Sequence, residues 1–346
     1  MDIFMYAVIA VVAAIAWYAY QRNAWYAIAA GAVGIVLSTA LYYGGMYAQA
    51  SDYELLSGSV IEKTRTYDPE TETYTCGTDS KGNSQTCTRL IPRWLWSVVS
   101  DVYEDVYSEH TYAKYNEPEI YKFTSVGDPY TTTKRFVNFQ YVSEQTISLN
   151  HDQQYTGWLP DYPQIYDGFK VTRGFSQIVL GDELSHSLAV AQRDWGKFYG
   201  ANVIVCIVDV KQAGFSEALK NKWYGGKKND VVLTLYVQGT TVQKAEVFSR
   251  STSEKRDATM ADFNMILREN AARMGEYDIG SLLGVLAVAL PYFQREDLSK
   301  YDFLESDYQS PWWLGILIII IMLGAMFGTV KFLENQFRYR SRRYYR

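Results

Sequence analysis

The sequence predicts a membrane protein of the mixed α+β and α/β class, with a β-rich part and a helix-covered sheet between its membrane spans. Three observations predict this fold. First, three long apolar stretches contain no charged residue. Second, helical and strand patterns alternate between residues 182 and 290, which is typical of a sheet with helices on both faces. Third, short strand patterns and turn residues fill residues 51–166.

The three apolar stretches are residues 3–20, 24–47 and 312–330. Each has about 18 residues or more, enough for a helix to cross roughly 30 Å of hydrocarbon. The alternative for the first two is a secretory signal, because Ala48 and Ala50 flank Gln49 as in a signal-peptidase site. Against that alternative, no positive charge precedes the first apolar run. We therefore expect three transmembrane helices, two of them within residues 1–50.

Basic residues near the spans predict the orientation. The tail, residues 331–346, has a single acid, Glu334, among its basic side chains, and Arg22 is the only charge between the first two spans. Both segments should be cytoplasmic. The N-terminus and residues 51–311 should then be periplasmic, in a multi-pass protein of the inner membrane. The tail arginines should contact lipid headgroups, with nucleic acid as the alternative. They are Arg338, Arg340, Arg342, Arg343 and Arg346.

The charge of the outer part limits its partners. The chain has a net charge of −5, and removing the tail, Arg22 and Asp2 leaves residues 51–311 at about −10. An acidic surface of this kind argues against nucleic-acid binding there. We expect the partners to be membrane lipids and a protein, either a different one or a second copy of the chain.

Cysteine usage agrees with the outward placement. Cys76 and Cys87 flank a polar segment with two glycines, so a disulfide between them would pin a β-hairpin. Disulfides persist in oxidising compartments. A zinc site would need further ligands, and the closest histidine in sequence is His110. Cys206 lies in an apolar strand pattern and is expected to be a small buried hydrophobe.

Residues 51–166 predict a tyrosine-rich β arm. Residues 55–65, 88–99 and 134–144 have strand patterns, and the second would place Trp94 and Trp96 on one face. Five tyrosines predict either an aromatic binding surface or packing for a thin sheet. They are Tyr103, Tyr107, Tyr112, Tyr115 and Tyr121.

Residues 167–300 predict the helix-covered sheet. Amphipathic helix patterns begin near residues 182, 215 and 260, and apolar strand patterns cover residues 202–210, 231–238 and 242–249. A further apolar helix, residues 280–290, stops before Pro291 and is too short to span a bilayer. Residues 301–311 then form a linker to the third span.

Part of this pattern resembles a known family. The strand 203–208, the helix ending in Trp223, the loop 225–230 leading into the strand 231–233, and residues 275–280 resemble a TPM domain, an α/β/α module of membrane-anchored bacterial and plastid proteins. Residues 53–58, the Cys76 to Cys87 hairpin, and residues 127–130 and 223–232 are similar to uncharacterised bacteriophage-encoded membrane proteins. The resemblance implies a TPM-like α/β/α sandwich, and some TPM proteins are weak phosphatases or calcium binders.

The loop after Trp223 is the candidate binding site. Two glycines followed by two lysines predict an anion site, since backbone N–H groups and ammonium charges favour one. It is not a P-loop, which needs Gly-Lys-Ser/Thr at a helix start. The alternative is a helix C-cap followed by a solvated turn. The candidate binding residues are Trp223, Gly225, Gly226, Lys227, Lys228, Asn229 and Asp230.

No cofactor is predicted, and a calcium-like cation held by Asp209 and Asp230 is the alternative. The histidines His110, His151 and His186 are dispersed, and neither a His-Glu-x-x-His nor a Gly-x-Ser-x-Gly motif occurs. We therefore predict no catalytic residue. The expected function is a non-enzymatic binding or scaffolding domain, phage-encoded and displayed at the host envelope. The alternative is a weak metal-dependent phosphatase of TPM type.

Overall fold

The computed structural model has a mixed α+β fold and describes residues 3–21, 24–78, 82–139, 155–177, 181–251, 263–295, 297–308 and 310–343. The chain divides into two compact units. The first unit comprises Met1–Asp52, Val137–Ser143 and Leu298–Arg346, and the second comprises Tyr53–Phe136 and Glu144–Asp297.

The helices are α1 (Ile3–Gln21), α2 (Ala24–Gln49), α3 (Glu119–Phe123), α4 (Gly181–Tyr199), α5 (Phe215–Lys222), α6 (Phe263–Ala272), α7 (Ile279–Ala289) and α8 (Trp312–Arg343). The strands are β1 (Ser51–Tyr67), β2 (Glu70–Thr78), β3 (Ser84–Ile91), β4 (Trp94–Ser100), β5 (Val106–Thr111), β6 (Pro129–Val137), β7 (Ile165–Tyr166), β8 (Lys170–Val171), β9 (Gly174–Ser176), β10 (Asn202–Asp209), β11 (Asp230–Gln238) and β12 (Thr241–Ser249). Two 3₁₀ segments are Leu290–Tyr292 and Leu298–Asp307.

The first unit is built on three helices, with α2 packed against both α1 and α8. Two segments are long and apolar enough to cross a membrane, Ala24–Gln49 and Trp312–Asn335. The apolar stretch described in α1, Met5–Tyr18, is shorter. Two of the three expected spans therefore have the required length and composition, and the first stays a prediction.

The first sheet of the second unit is antiparallel around β1, with strand order β5-β4-β1-β6. β1 pairs with β4 from Val60 opposite Ser100 to Tyr67 opposite Trp94. The hairpin β2–β3 lies between these two strands in sequence and pairs only with itself among the described residues. Residues 140–144 of the third expected strand lie outside the described residues, and β6 ends at Val137.

The second sheet has the order β12-β11-β10-β9. β9, β10 and β11 are parallel, and β12 is antiparallel to β11. Side chains alternate along β10, so Val203, Val205 and Ile207 pack with α4, α6 and α7. Ile204, Cys206 and Val208 face the other way and pack with α5. The sheet thus has helices on both faces, and burial of both faces of β10 explains its nearly unbroken apolar sequence.

Candidate functional site

The predicted disulfide is confirmed. Cys76 and Cys87 are bonded across the hairpin β2–β3, with their Cα atoms 5.6 Å apart. The bond lies at an irregularity in the pairing, between Thr75 and Gly77. The strands on either side of the bond are largely exposed, so it closes a hairpin that has little core of its own. Cys206, the remaining cysteine, is free and buried.

Ion pairs line the same hairpin. Arg93 lies 2.8 Å from Asp68 and 3.3 Å from Glu70, and Arg89 lies 2.6 Å from Glu72. Hydrogen bonds from His110 and Arg93 hold the pKa of Asp68 below its usual value. These pairs are exposed, so each contributes little to stability, but they bridge β2 and its neighbours along their length.

The five tyrosines divide between the two roles considered for them. Tyr103, Tyr112 and Tyr115 are exposed, and Tyr115 has 84% of its surface accessible. Tyr107 and Tyr121 are packing residues instead, with Tyr121 stacked edge-on to Trp96 at 4.9 Å. The arm therefore has individually exposed tyrosines as well as tyrosines that pack against a mixed aliphatic and aromatic core.

The glycine-rich loop caps helix α5. Tyr224, Gly225 and Gly226 all have positive φ angles, of 52°, 77° and 81°. The Gly225 N–H donates to the Lys220 carbonyl at 2.8 Å, and the Gly226 N–H donates to the Trp223 carbonyl at 3.0 Å. These are C-cap hydrogen bonds, which satisfy the last carbonyl groups of the helix. The two N–H groups that would best cradle an anion are thus already used inside the protein.

The alternative of a helix C-cap followed by a solvated turn is right for the cap and wrong for the turn, because most of the loop is buried. Asn229 and Asp230 are each 1% exposed. The side-chain amide of Asn229 donates to the Leu55 carbonyl in β1 at 2.7 Å. Strand β1 of the first sheet therefore lies over the loop and shields it from solvent. Local turn chemistry was read correctly, but the burial comes from a segment far away in sequence.

Both loop lysines face aromatic rings or acids. The Lys227 ammonium lies 4.8 Å from the centre of the Tyr53 ring and 5.2 Å from that of Tyr162. The Lys228 ammonium lies 3.4 Å from the buried carboxylate of Glu54, which also pairs with Arg295. Burial lowers the pKa of Lys228, against the attraction of Glu54. Trp223, the other candidate beside the loop, is buried and donates its indole N–H to the Pro160 carbonyl at 3.1 Å.

Asp230 is the centre of a buried polar network. Burial raises its pKa, although hydrogen bonds from Lys227, Asn202 and Tyr162 act in the opposite direction. The Lys227 N–H donates at 2.7 Å, the Asn202 amide at 2.8 Å and the Tyr162 hydroxyl at 3.0 Å. These three hydrogen bonds come from other residues of the protein, and they fix the position of the Asp230 carboxylate within the fold.

Sequence reasoning missed Arg173, which continues this network. Its Nε donates to the Asn202 Oδ1 at 2.8 Å, and its Nη2 donates to the hydroxyls of Ser57 and Thr131 at 2.7 and 3.3 Å. The side chain thus joins β1 and β6 of one sheet to β10 of the other. Its only sequence signal is a charged residue beside the short strand β9, which a pattern search does not distinguish from a surface arginine.

Asp209 and Asp230 do not form a shared cation site. In the parallel pairing of β10 and β11, Asp230 is opposite Asn202, whereas Asp209 is opposite Val237. Seven residues of extended strand separate those two positions, about 23 Å at roughly 3.3 Å per residue. The two candidate ligands are therefore at opposite ends of the sheet. Within the described residues, no group of three or more His, Cys, Asp or Glu side chains is arranged to hold a metal ion.

The remaining candidate residues are the tail arginines and the three histidines, and some of them lie outside the described residues. The backbone of α8 is helical through Arg343, but the side chains of the tail arginines Arg338, Arg340, Arg342, Arg343 and Arg346 lie outside the described residues, as does His151. His110 lies in the arm beside Asp68, and His186 lies in α4. The described histidines thus belong to different elements.

Comparison of the chain with protein-family models, curated proteins and solved structures gives no match.

Proposed function

We propose that the protein is an integral membrane protein, encoded by a bacteriophage, that displays a non-enzymatic binding or scaffolding domain on the outer side of the host inner membrane. Three spans anchor it, and the basic tail is cytoplasmic. The tail arginines contact lipid headgroups there. The displayed part combines the tyrosine-rich arm with a TPM-like α/β/α sandwich.

The observation that carries the membrane anchoring is the exposed apolar surface of α2 and α8. Only 28% of the most apolar window of Ala24–Gln49 is buried, and 22% of that of Trp312–Asn335. Val36, Ile320 and Leu323 are among the large side chains left exposed. A soluble protein seldom exposes a continuous apolar surface of this length. The hydrocarbon core of a membrane would cover this apolar surface of α2 and α8.

The disulfide supports the outward orientation. A bond between Cys76 and Cys87 is expected to persist in the periplasm and to be reduced in the cytoplasm. The charges of Arg22 and of the tail favour the same orientation independently.

The binding role rests on which groups are exposed. The backbone N–H groups of Gly225 and Gly226 and the carboxylate of Asp230 hold internal partners. The disulfide-closed hairpin and the exposed tyrosines are open to a partner instead. Tyrosine is enriched at protein interfaces because its ring buries a large area and its hydroxyl remains hydrogen-bonded.

Photo-crosslinking tests the binding role. A photoreactive amino acid at Tyr115 in the full chain, irradiated in expressing cells, should give a discrete product of higher mass containing a partner or a second copy. The same label at Lys244, on the exposed side of β12, is the control and should give none. Monomer alone at Tyr103, Tyr112 and Tyr115 would contradict the proposal. Metal-dependent hydrolysis of p-nitrophenyl phosphate that is lost in Asp209→Ala, a change that leaves the buried Asp230 network intact, would favour the phosphatase instead.

A further inference from the structure

The second unit contains a cavity of about 460 Å³, a size typical of small-molecule sites. Its wall is formed by the end of α3, the start of β6, the β7–β8 hairpin and the first turns of α4. Phe169 and Val171 are its buried apolar residues, and Phe123 and Tyr166 are exposed at its edge. The cavity therefore offers an aromatic and aliphatic wall to a ligand.

Arg173 is the one cation on this wall that is almost completely buried, among the residues that the structure describes. Burial lowers its pKa to about 10, so the guanidinium stays charged at neutral pH. Its hydrogen bonds to described residues run from Nε and Nη2, and all three acceptors are neutral oxygens. Nη1 takes part in none of these bonds. Tyr162 and Asp230 act electrostatically in the opposite direction to burial. Asn202 bridges Arg173 and Asp230 by hydrogen bonds to both.

We propose that this cavity binds a small organic monocarboxylate, with the carboxylate on Arg173 and the apolar body of the ligand against Phe169 and Val171. Nε and Nη2 already donate to protein acceptors, so the N–H groups of Nη1 are the donors left for the carboxylate, and such a charge-assisted hydrogen bond is stronger where water is excluded. Thr131 also lines the cavity, and its hydroxyl accepts a hydrogen bond from Arg173 at 3.3 Å. The apolar lining residues would select for a ring or an alkyl chain.

Three acidic residues on the cavity lining limit the negative charge that a ligand can carry. Asp128, Asp167 and Asp182 line the cavity, and Asp167 and Asp182 are exposed. Lys170 lies 3.8 Å from Asp167, so one cation there is already paired. Three carboxylates on the cavity lining would repel a ligand with several negative charges, such as a phosphate ester. A singly charged carboxylate paired with Arg173 meets less of that repulsion because it carries less charge, and salt further screens the exposed acids.

Ligand-observed NMR on the full chain in detergent micelles, with benzoate as the probe and neutral benzamide as its isosteric control, tests the proposal. We expect saturation transfer to benzoate and at least about tenfold weaker binding of benzamide. Equal signals from both, or no signal from benzoate up to millimolar concentration, would overturn it.

Two tryptophan variants locate the site. Ala189 lies on the cavity wall in α4, whereas its neighbour Val190 is exposed and not on that wall. Ala189→Trp should fill the cavity and abolish benzoate binding without altering Arg173, and Val190→Trp should leave it unchanged. Binding that survives in Ala189→Trp, or is lost equally in both variants, would contradict the assignment. This site is separate from the proposed anchoring and display role, so its failure would leave that role intact.

Discussion

A Cβ atom placed on Gly196 of α4 would lie 2.4 Å from the carbonyl oxygen of Ser57 in β1. Helix and strand backbones are therefore in direct contact at this point. The Ser57 hydroxyl also accepts from the Arg173 guanidinium at 2.7 Å. Close backbone packing and a buried hydrogen bond together join the two sheets of the second unit.

We expect Gly196→Ala to destabilise the second unit by about 3 kcal/mol, because the added methyl group meets backbone that cannot rotate away. The matched control is Gly284→Ala in α7, where an added Cβ meets nothing within 4 Å. That variant should be neutral or gain up to about 1 kcal/mol from helix propensity. Urea unfolding of the full chain in micelles measures both. Equal midpoints would contradict the close contact.

Asp230→Asn should lower the free energy of unfolding by about 3 kcal/mol. The new amide would face the donating N–H of Lys227, and the buried charge of Arg173 would lose the electrostatic support of the Asp230 carboxylate. Asp209→Asn changes the same group at the opposite end of the second sheet and should cost less than about 1 kcal/mol. The measurement is the unfolding midpoint with and without added calcium. A calcium-dependent loss in both variants would instead support a cation site.

Packing between α2 and α8 can be tested at two glycines of α2. A Cβ on Gly34 would lie 2.8 Å from the Met326 sulfur, whereas one on Gly44 would meet nothing within 4 Å. Gly34→Leu should therefore separate the helices and lower the thermal midpoint in micelles by several degrees. Gly44→Leu should leave it nearly unchanged. A larger loss in Gly44→Leu would mean that the helices pack through another face.

Reduction of Cys76–Cys87 should loosen the hairpin alone. A bond closing a loop of this length stabilises by about 3 kcal/mol in the loop-entropy view. Limited trypsin digestion should cleave after Arg89 faster with reductant, while the second sheet stays protected. Thiol titration of the denatured chain should find Cys206 alone before reduction and all three cysteines afterwards. Three reactive thiols without reductant would rule out the bridge.

Asp101 should make stability depend on pH in the acid range. Burial would raise its pKa, but hydrogen bonds from Ser59 and Lys197 outweigh burial and lower it from the usual 3.8. Because the folded-state pKa is the lower one, this stabilisation is complete above about pH 4 and is lost as the pH falls through the folded-state value. Asp101→Asn should cost about 2 kcal/mol at pH 7 and progressively less below pH 4. A difference that does not change with pH would contradict this role.

Local patterns predicted the second sheet well. The apolar run of β10 and the amphipathic faces of α4 and α5 each follow one repeating period. A short stretch of sequence is therefore enough to recognise each of them. The Cys76–Cys87 disulfide was equally easy to predict, because both cysteines lie in one hairpin.

The candidate site was harder to predict because its contacts are long-range. Asn229 and its acceptor Leu55 are 174 residues apart, and Arg173 and Ser57 are 116 residues apart. Neither the periodicity of a sequence nor a turn motif indicates which distant strand will cover a loop. The loop's glycines and lysines indicated an anion site, but the helix cap uses the glycine N–H groups and long-range contacts hold the lysine ammonium groups.

Protease protection tests the central proposal, outward display, most directly. The full chain with a C-terminal epitope tag is expressed in bacteria, and intact spheroplasts are treated with protease. We expect residues 53–297 to be degraded while a short fragment carrying α8 and the tag survives, and the tag to be lost only after the membrane is opened. A chain that stays full-length until lysis, or a tag removed from intact spheroplasts, would contradict outward display.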